Sequence, residues 1–241
     1  MCTVVIEVGE AGARLLAVRD EDPQREWDGL GAWWPDRYPG VIGIRDRRAG
    51  GAWMAALRAV AAPVGAQGPS ASPRLAVLLN RADVLDLPED RVVSRGALAL
   101  ESVAGRPPSA PLPMHGFNLL EVSADGARVL SWDGVELREQ QVPPGVHMIA
   151  HSVLDDPETA RIARWLPEFR AHPTPSEDWP EAWISLLAES AELDPADDRA
   201  IIRDNRPHGY PTQSLLYCTA EVTAVGVDVR GHTLPSPARW G

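Results

Sequence analysis

Cys2 puts a thiol directly behind the initiator methionine. Methionine is removed enzymatically when the next residue is small, as cysteine is. Removal leaves one residue carrying both a thiol and a free α-amine. That amine has a pKa of roughly 7.7–8.0, so at neutral pH it accepts the thiol proton, and nucleophile and base share one residue. The plain alternative is a small residue buried at the start of a strand. A second cluster, Arg19-Asp20-Glu21-Asp22, follows the run Arg14–Val18 (RLLAV). The run Cys2–Val8 (CTVVIEV) is β-branched and Glu10–Gly12 supplies a turn, so the two runs predict a hairpin. The start of its first strand then faces the end of its second across roughly 5 Å. There an arginine favours the thiolate of Cys2, and a carboxylate holds the ammonium or accepts from the amine. The alternative for Arg19 and Asp20 is a solvated turn.

Other residues carry weaker signals. His147 and His151 are four apart, which is a chelating spacing only on a helix. On the strand predicted for Val146–Ser152 they stand ~13 Å apart, so no metal site is expected. Trp33 and Trp34 read as the roof of a pocket or as core. Asn118 reads as pocket lining or as a turn-capping amide, and Cys218 as a buried, inert thiol.

These groups need a scaffold, and composition bounds it. The chain has 241 residues, with 34 acidic against 23 basic ones, all of the latter arginine, for a formal net charge of −11. That balance argues against nucleic-acid or anionic-membrane binding, both of which need clustered positive charge. The absence of lysine fits the coding bias of a GC-rich, bacterial genome. No apolar run reaches the roughly 18 residues of a membrane span. The N-terminus lacks a basic, then apolar, leader, and two cysteines cannot make a disulfide framework, so a cytoplasmic location is expected. Proline, at 23 residues, predicts short elements and stiff turns.

Strand patterns cover Val41–Ile44, Ala52–Ala56, Leu75–Leu79, Phe117–Val122, Ala127–Trp132 and Val135–Gln141. Residues 61–73 are rich in Pro, Gly and Ala and read as a flexible insertion in one domain spanning 1–241. A short helix is predicted over Ser94–Val103 with Ser94 as its cap, and longer ones over Pro157–Phe169 and Ser176–Ser190. Strand pattern returns over Ser214–Val229. Strands, then helices, then strands predict an α+β fold with helices covering antiparallel sheets.

Several segments in order resemble the NRDE family, also called the transport and Golgi organisation type 2 family. They are Met1-Cys2-Thr3, then Leu15-Leu16-Ala17 before Arg19-Asp20-Glu21, then Gly50-Gly51-Ala52-Trp53. Gly116-Phe117-Asn118-Leu119-Leu120, Pro143-Pro144-Gly145-Val146-His147, Ser152-Val153-Leu154-Asp155 and Tyr210-Pro211-Thr212-Gln213-Ser214 follow. The chain differs from the family pattern at Val18 and His151, where asparagine is usual, and at Gln213, where arginine is usual. The resemblance implies a four-layer αββα sandwich like that of N-terminal-nucleophile hydrolases. It implies Cys2 as nucleophile, oriented by Arg19 and Asp20, with an asparagine from a later strand at the oxyanion. His151 stands near that position, and a neutral histidine can donate one hydrogen bond there. Trp33, Trp34, Asn118 and His147 are the substrate-binding candidates.

Two functions stay open. One is hydrolysis of an amide, ester or thioester of a small, apolar acyl group. The other is a non-catalytic carrier that binds haem or a lipid in the same pocket. Beyond that ligand no cofactor is expected, and the oligomeric state is not legible.

Overall fold

A computed structural model describes residues 2–58, 72–172 and 178–241. The N-terminal hairpin forms as its β-branched residues predict. Strands β1 (Thr3–Gly9) and β2 (Gly12–Glu21) pair antiparallel from Thr3↔Val18 to Gly9↔Gly12. β2 runs on through Arg19, Asp20 and Glu21, so this cluster is strand rather than exit turn.

Ten more strands follow: β3 (Trp27–Gly31), β4 (Val41–Asp46), β5 (Ala52–Leu57), β6 (Arg74–Asn80), β7 (Phe117–Ser123), β8 (Gly126–Trp132), β9 (Leu137–Val142), β10 (Gly145–Ile149), β11 (Gln213–Val222) and β12 (Val227–Thr233). Among the described residues three α-helices accompany them: α1 (Leu98–Val103), α2 (Ala160–Ala171) and α3 (Trp179–Ser190). The strands make two antiparallel sheets, ordered β10-β1-β2-β11-β12 and β3-β4-β5-β6-β7-β8-β9. β1 and β2 therefore sit inside the five-stranded sheet.

Burial explains the unbroken apolar runs at the N-terminus. Val4 and Ile6 point between the sheets and pack with Met54, Val77 and Leu120. Val5, Leu16 and Val18 point the other way, onto Ile162, Trp165 and Phe169 of α2 and Trp183 of α3. Strands buried on both faces need no polar alternation. A third apolar cluster joins Ala55, Ala76 and Leu119 on the far face of the seven-stranded sheet to Leu98, Leu100 and Val103 of α1. The result is an α+β sandwich of four unequal layers. One outer layer is α2 and α3; the other is the six-residue α1 with loops. No described helix is long and apolar enough to cross a membrane.

Several boundaries differ from expectation. β3 was not legible, because its sequence WDGLG has two glycines; it forms as an edge strand on β4, with an irregularity between Asp28 and Gly31. The run Ser214–Val229 divides into β11 and β12, which pair as a hairpin down to Val222↔Val227. β10 ends at Ile149, so His151 lies beyond the strand. α2 starts at Ala160 rather than Pro157. Ser94 caps as expected, its hydroxyl accepting from the Gly96 N–H, but the turn it caps is a 3-10 turn ahead of α1. Residues 61–71 of the expected insertion, and Ser176, lie outside the described residues.

One close backbone approach fixes the site's floor. A Cβ built on Gly51 would meet the Gly96 carbonyl oxygen at 2.0 Å. Only glycine lets the loop carrying Arg95 and Gly96 lie against the start of β5. Gly51→Ala is expected to force these backbones apart and to destabilise the protein by about 1–3 kcal/mol. Urea denaturation checks this; an unchanged midpoint would show that the loop does not depend on the contact.

Candidate functional site

Cys2 precedes β1 at the end of the sandwich where the sheets part. β1 pairs with β2 through Thr3↔Val18 and with β10 through Val4↔Ile149. Continuing the β2 register by one residue puts Cys2 beside Arg19. The Cys2 side chain is buried, and its thiol approaches the Asp20 carbonyl oxygen at 3.7 Å.

The thiol is not sealed in. It lines a cavity of about 340 Å³ with Arg19, Asp20 and Glu21. Arg25, Asp46, Trp53, Asn80, Arg95 and His115 also line it. These residues come from strand ends: Cys2 from the start of β1, Glu21 from the end of β2, Asp46 from the end of β4, Trp53 from the start of β5 and Asn80 from the end of β6. The Val92–Gly96 segment closes one side. A groove of about 460 Å³ elsewhere is larger. Its charges are already matched, with Arg128 Nε donating to Glu121 at 2.6 Å.

Burial pushes the Cys2 thiol above its ordinary range, and the nearby Asp20 charge adds to that, against opposing pulls from the N-terminal charge and, more weakly, from Arg19. The thiol at rest is therefore protonated, and attack requires a base. Cys218 is different: it lies in β11 away from this cavity, and burial pushes its thiol up to about 12.

Arg19 is 2% exposed, and its Nη2 donates to Glu21 Oε2 at a long 3.4 Å. Asp20 lies on the opposite face of β2. Its carboxylate accepts from the Ser214 hydroxyl at 2.6 Å and from Asn205 Nδ2 at 3.4 Å. A bulge in β11 makes this possible. Leu216 pairs with Arg19, yet Ser214 rather than Leu215 stands opposite Asp20. With unbroken one-to-one pairing Leu215 would stand opposite Asp20, and an aliphatic side chain would meet a buried carboxylate. Asp20 therefore meets the thiol through its backbone carbonyl, while its carboxylate is held by Ser214 and Asn205.

The other expected site residues are dispersed. His151 lines a separate hollow of about 280 Å³ with Arg161, Arg203 and Asn205. Its Nδ1 lies 3.4 Å from Arg161 Nη2. Burial, reinforced by Arg161, pushes the ring down to about 4, so it is neutral at pH 7. His147 is on β10, its Nδ1 2.7 Å from Asp155 Oδ2. Asn118 is wholly buried and ties the sheets together, donating to the carbonyls of Ala150 and Ser152 at 3.2 and 2.7 Å. Trp33 donates to the Gly29 carbonyl and Trp34 to that of Gly50, and neither lines the Cys2 cavity. None of these four side chains lines the Cys2 cavity. Among the described residues no group of three His, Cys, Asp or Glu side chains could hold a metal.

Sequence reading missed Trp53, Asn80, Arg25, Arg95 and His115. One signal was present for Asn80: it is the first polar residue after the apolar run Leu75–Leu79, where a strand leaves the core. Trp53 was hidden because its run, AWMAA, reads as core throughout.

A family model described as Transport and Golgi organisation 2 matches residues 1–205, a span that ends before β11. None of the curated proteins matches the chain.

Two outcomes are expected of this geometry. Ser214→Ala removes a donor from the buried Asp20 carboxylate and should destabilise the protein by about 1–3 kcal/mol in urea denaturation. An undiminished stability would mean that Asp20 does not rely on that hydroxyl. For His151 the sign follows from its lowered basicity. Between 6.5 and about 4 the unfolded chain binds a proton that the folded chain does not. Stability should therefore fall as pH drops through that window and be indifferent to this group above it. His151→Asn should flatten that part of the profile, read by denaturation at a series of pH values.

Proposed function

The chain belongs to the Transport and Golgi organisation 2 family, and from that membership we propose that it is a cysteine hydrolase of the N-terminal-nucleophile type. Its substrate is an amide, ester or thioester of a small acyl group. The observation that carries this reading is the thiol of Cys2, held by strand register beside Arg19 and opening into a cavity.

The chemistry starts with loss of Met1. The freed α-amine takes the proton of the Cys2 thiol, and the sulfur attacks the substrate carbonyl carbon. The proton cannot leave without a base, because burial holds the thiol in its neutral form. Asn80 lines the cavity and supplies an N–H donor for the oxygen that gains charge. Collapse expels the leaving group, which takes the proton from the ammonium, and leaves a thioester on Cys2. Water, deprotonated by the same amine, attacks the thioester carbonyl, releases the acid and restores the thiol. Asp20 acts at one remove, by fixing the end of β2 through Ser214 and Asn205. His151 has no part at the oxyanion in this reading, since it lines the other hollow.

The cavity walls revise the expected substrate. Arg19, Arg25, Arg95, Glu21, Asp46 and Glu89 line it, which suits a polar group better than the apolar acyl chain first expected. A haem or lipid carrier would need apolar walls, so that alternative has no support from the lining.

Intact-mass measurement together with acyl-amide turnover tests the proposal. The purified protein should lack Met1, Cys2→Ala should abolish turnover, and Cys2→Ser should lower it at least a hundredfold. Iodoacetamide at pH 7 should alkylate Cys2 only slowly and Cys218 not at all in the folded state. Turnover by a chain that keeps Met1, or by the Cys2→Ala variant, would overturn it.

A further inference from the structure

The Cys2 cavity holds hydrogen-bond donors without acceptors. Arg19 Nη1, Arg25 Nε and Trp53 Nε1 are each shielded from solvent and lack a partner in the protein, and all three residues line this one cavity. They come from separate places: the end of β2, the loop after it, and the start of β5 in the other sheet. Arg19 and Trp53 are more than nine-tenths buried, at 2% and 6% exposure. A buried N–H left without an acceptor costs roughly 1–3 kcal/mol, more for a charged group, so such donors rarely cluster without a use.

The acceptors in the cavity are already engaged. Glu21 takes Arg19 Nη2 at 3.4 Å and the Asp22 N–H at 3.0 Å. Asp46 takes Arg25 Nη2 at 2.6 Å and the Ala49 N–H at 3.0 Å. Glu89 faces His115 at 3.4 Å and is otherwise turned to solvent. The remaining demand is one-sided, for acceptor oxygens. Two of the three donors belong to guanidinium groups, whose best partner is a carboxylate, with two oxygens in one plane to span adjacent N–H groups. Trp53 adds a rigid donor that a cation-seeking group could not use.

We propose that the Cys2 cavity selects acyl groups that carry their own carboxylate, held by the N–H groups of Arg19, Arg25 and Trp53. The inference deepens the hydrolase reading and takes its word "acyl" from it, but the binding itself does not require turnover. The substrate class is then the monoamide, monoester or monothioester of a short dicarboxylic acid. One end carries the carbonyl that Cys2 attacks, and the other the anion that the three donors hold.

Titration calorimetry with three compounds of equal length tests it: succinamate, succinamide and butyramide. Succinamate should bind at least tenfold more tightly than the other two, to the wild-type protein and to Cys2→Ala alike. Trp53→Phe keeps an aromatic ring and removes the N–H; it should weaken succinamate at least fivefold. Arg25→Gln, at a partly exposed position, should do the same. Succinamide or butyramide binding as tightly as succinamate would overturn the proposal. So would succinamate affinity unchanged in both variants. The two readings fail separately. Succinamate binding with no turnover of its amide or thioester derivatives refutes the hydrolase alone. Turnover of neutral acyl amides without succinamate binding refutes the anion selectivity alone.

Discussion

Asp20 is a carboxylate withdrawn from water at the end of β2, and the candidate site depends on how its charge is satisfied. Ser214 reaches it from β11 and Asn205 from the segment before β11, so one anion joins three parts of the chain. Strand alternation then turns its neighbour Arg19 to the opposite face, between the sheets and beside Cys2. A wrong register at this point would exchange the two side chains, putting the guanidinium under the helices and the carboxylate against the thiol. The bulge at Leu215 excludes that exchange, because only with it does a hydroxyl rather than an aliphatic chain oppose Asp20.

Much of the scaffold was legible because its physics is local. The N-terminal hairpin follows from β-branched runs around a turn, and the meander β7-β8-β9 from Asp125-Gly126 and Asp133-Gly134 between apolar strands. The proximity of Cys2 to Arg19 follows from the hairpin alone. What was not legible depends on contacts distant in sequence. Asn118 and His147 lie on correctly identified strands, yet strand identity does not say which end of a sandwich a side chain serves. Trp53 looked like core and largely is core, yet it also lines the cavity. His151 lies just past the end of β10 and turns toward Arg161, a residue on a helix whose docking no local pattern encodes.

The same distinction separates the expected from the observed character of the cavity. Paired tryptophans near the motif suggested an apolar wall. Their indole N–H groups are instead spent on nearby carbonyls of Gly29 and Gly50, and the walls around Cys2 are formed by the charged ends of strands. Strand ends are where polar residues accumulate, since the core stops there and the chain turns back into solvent. A thiol placed at such an end has polar neighbours by geometry, whatever its own burial.

The order of strands in the five-stranded sheet also bears on how the protein is made. β2 is completed within the first 21 residues, but its neighbour β11 begins only at Gln213. During synthesis the edge of β2 stays unpaired, and Asp20 without its hydroxyl, until nearly 200 further residues have left the ribosome. The surroundings of Cys2 are thus completed long after the strand that carries its neighbour Arg19 has been made. A nascent chain arrested before β11 carries its thiol in an unfinished setting, which ties reactivity to completion of the polypeptide.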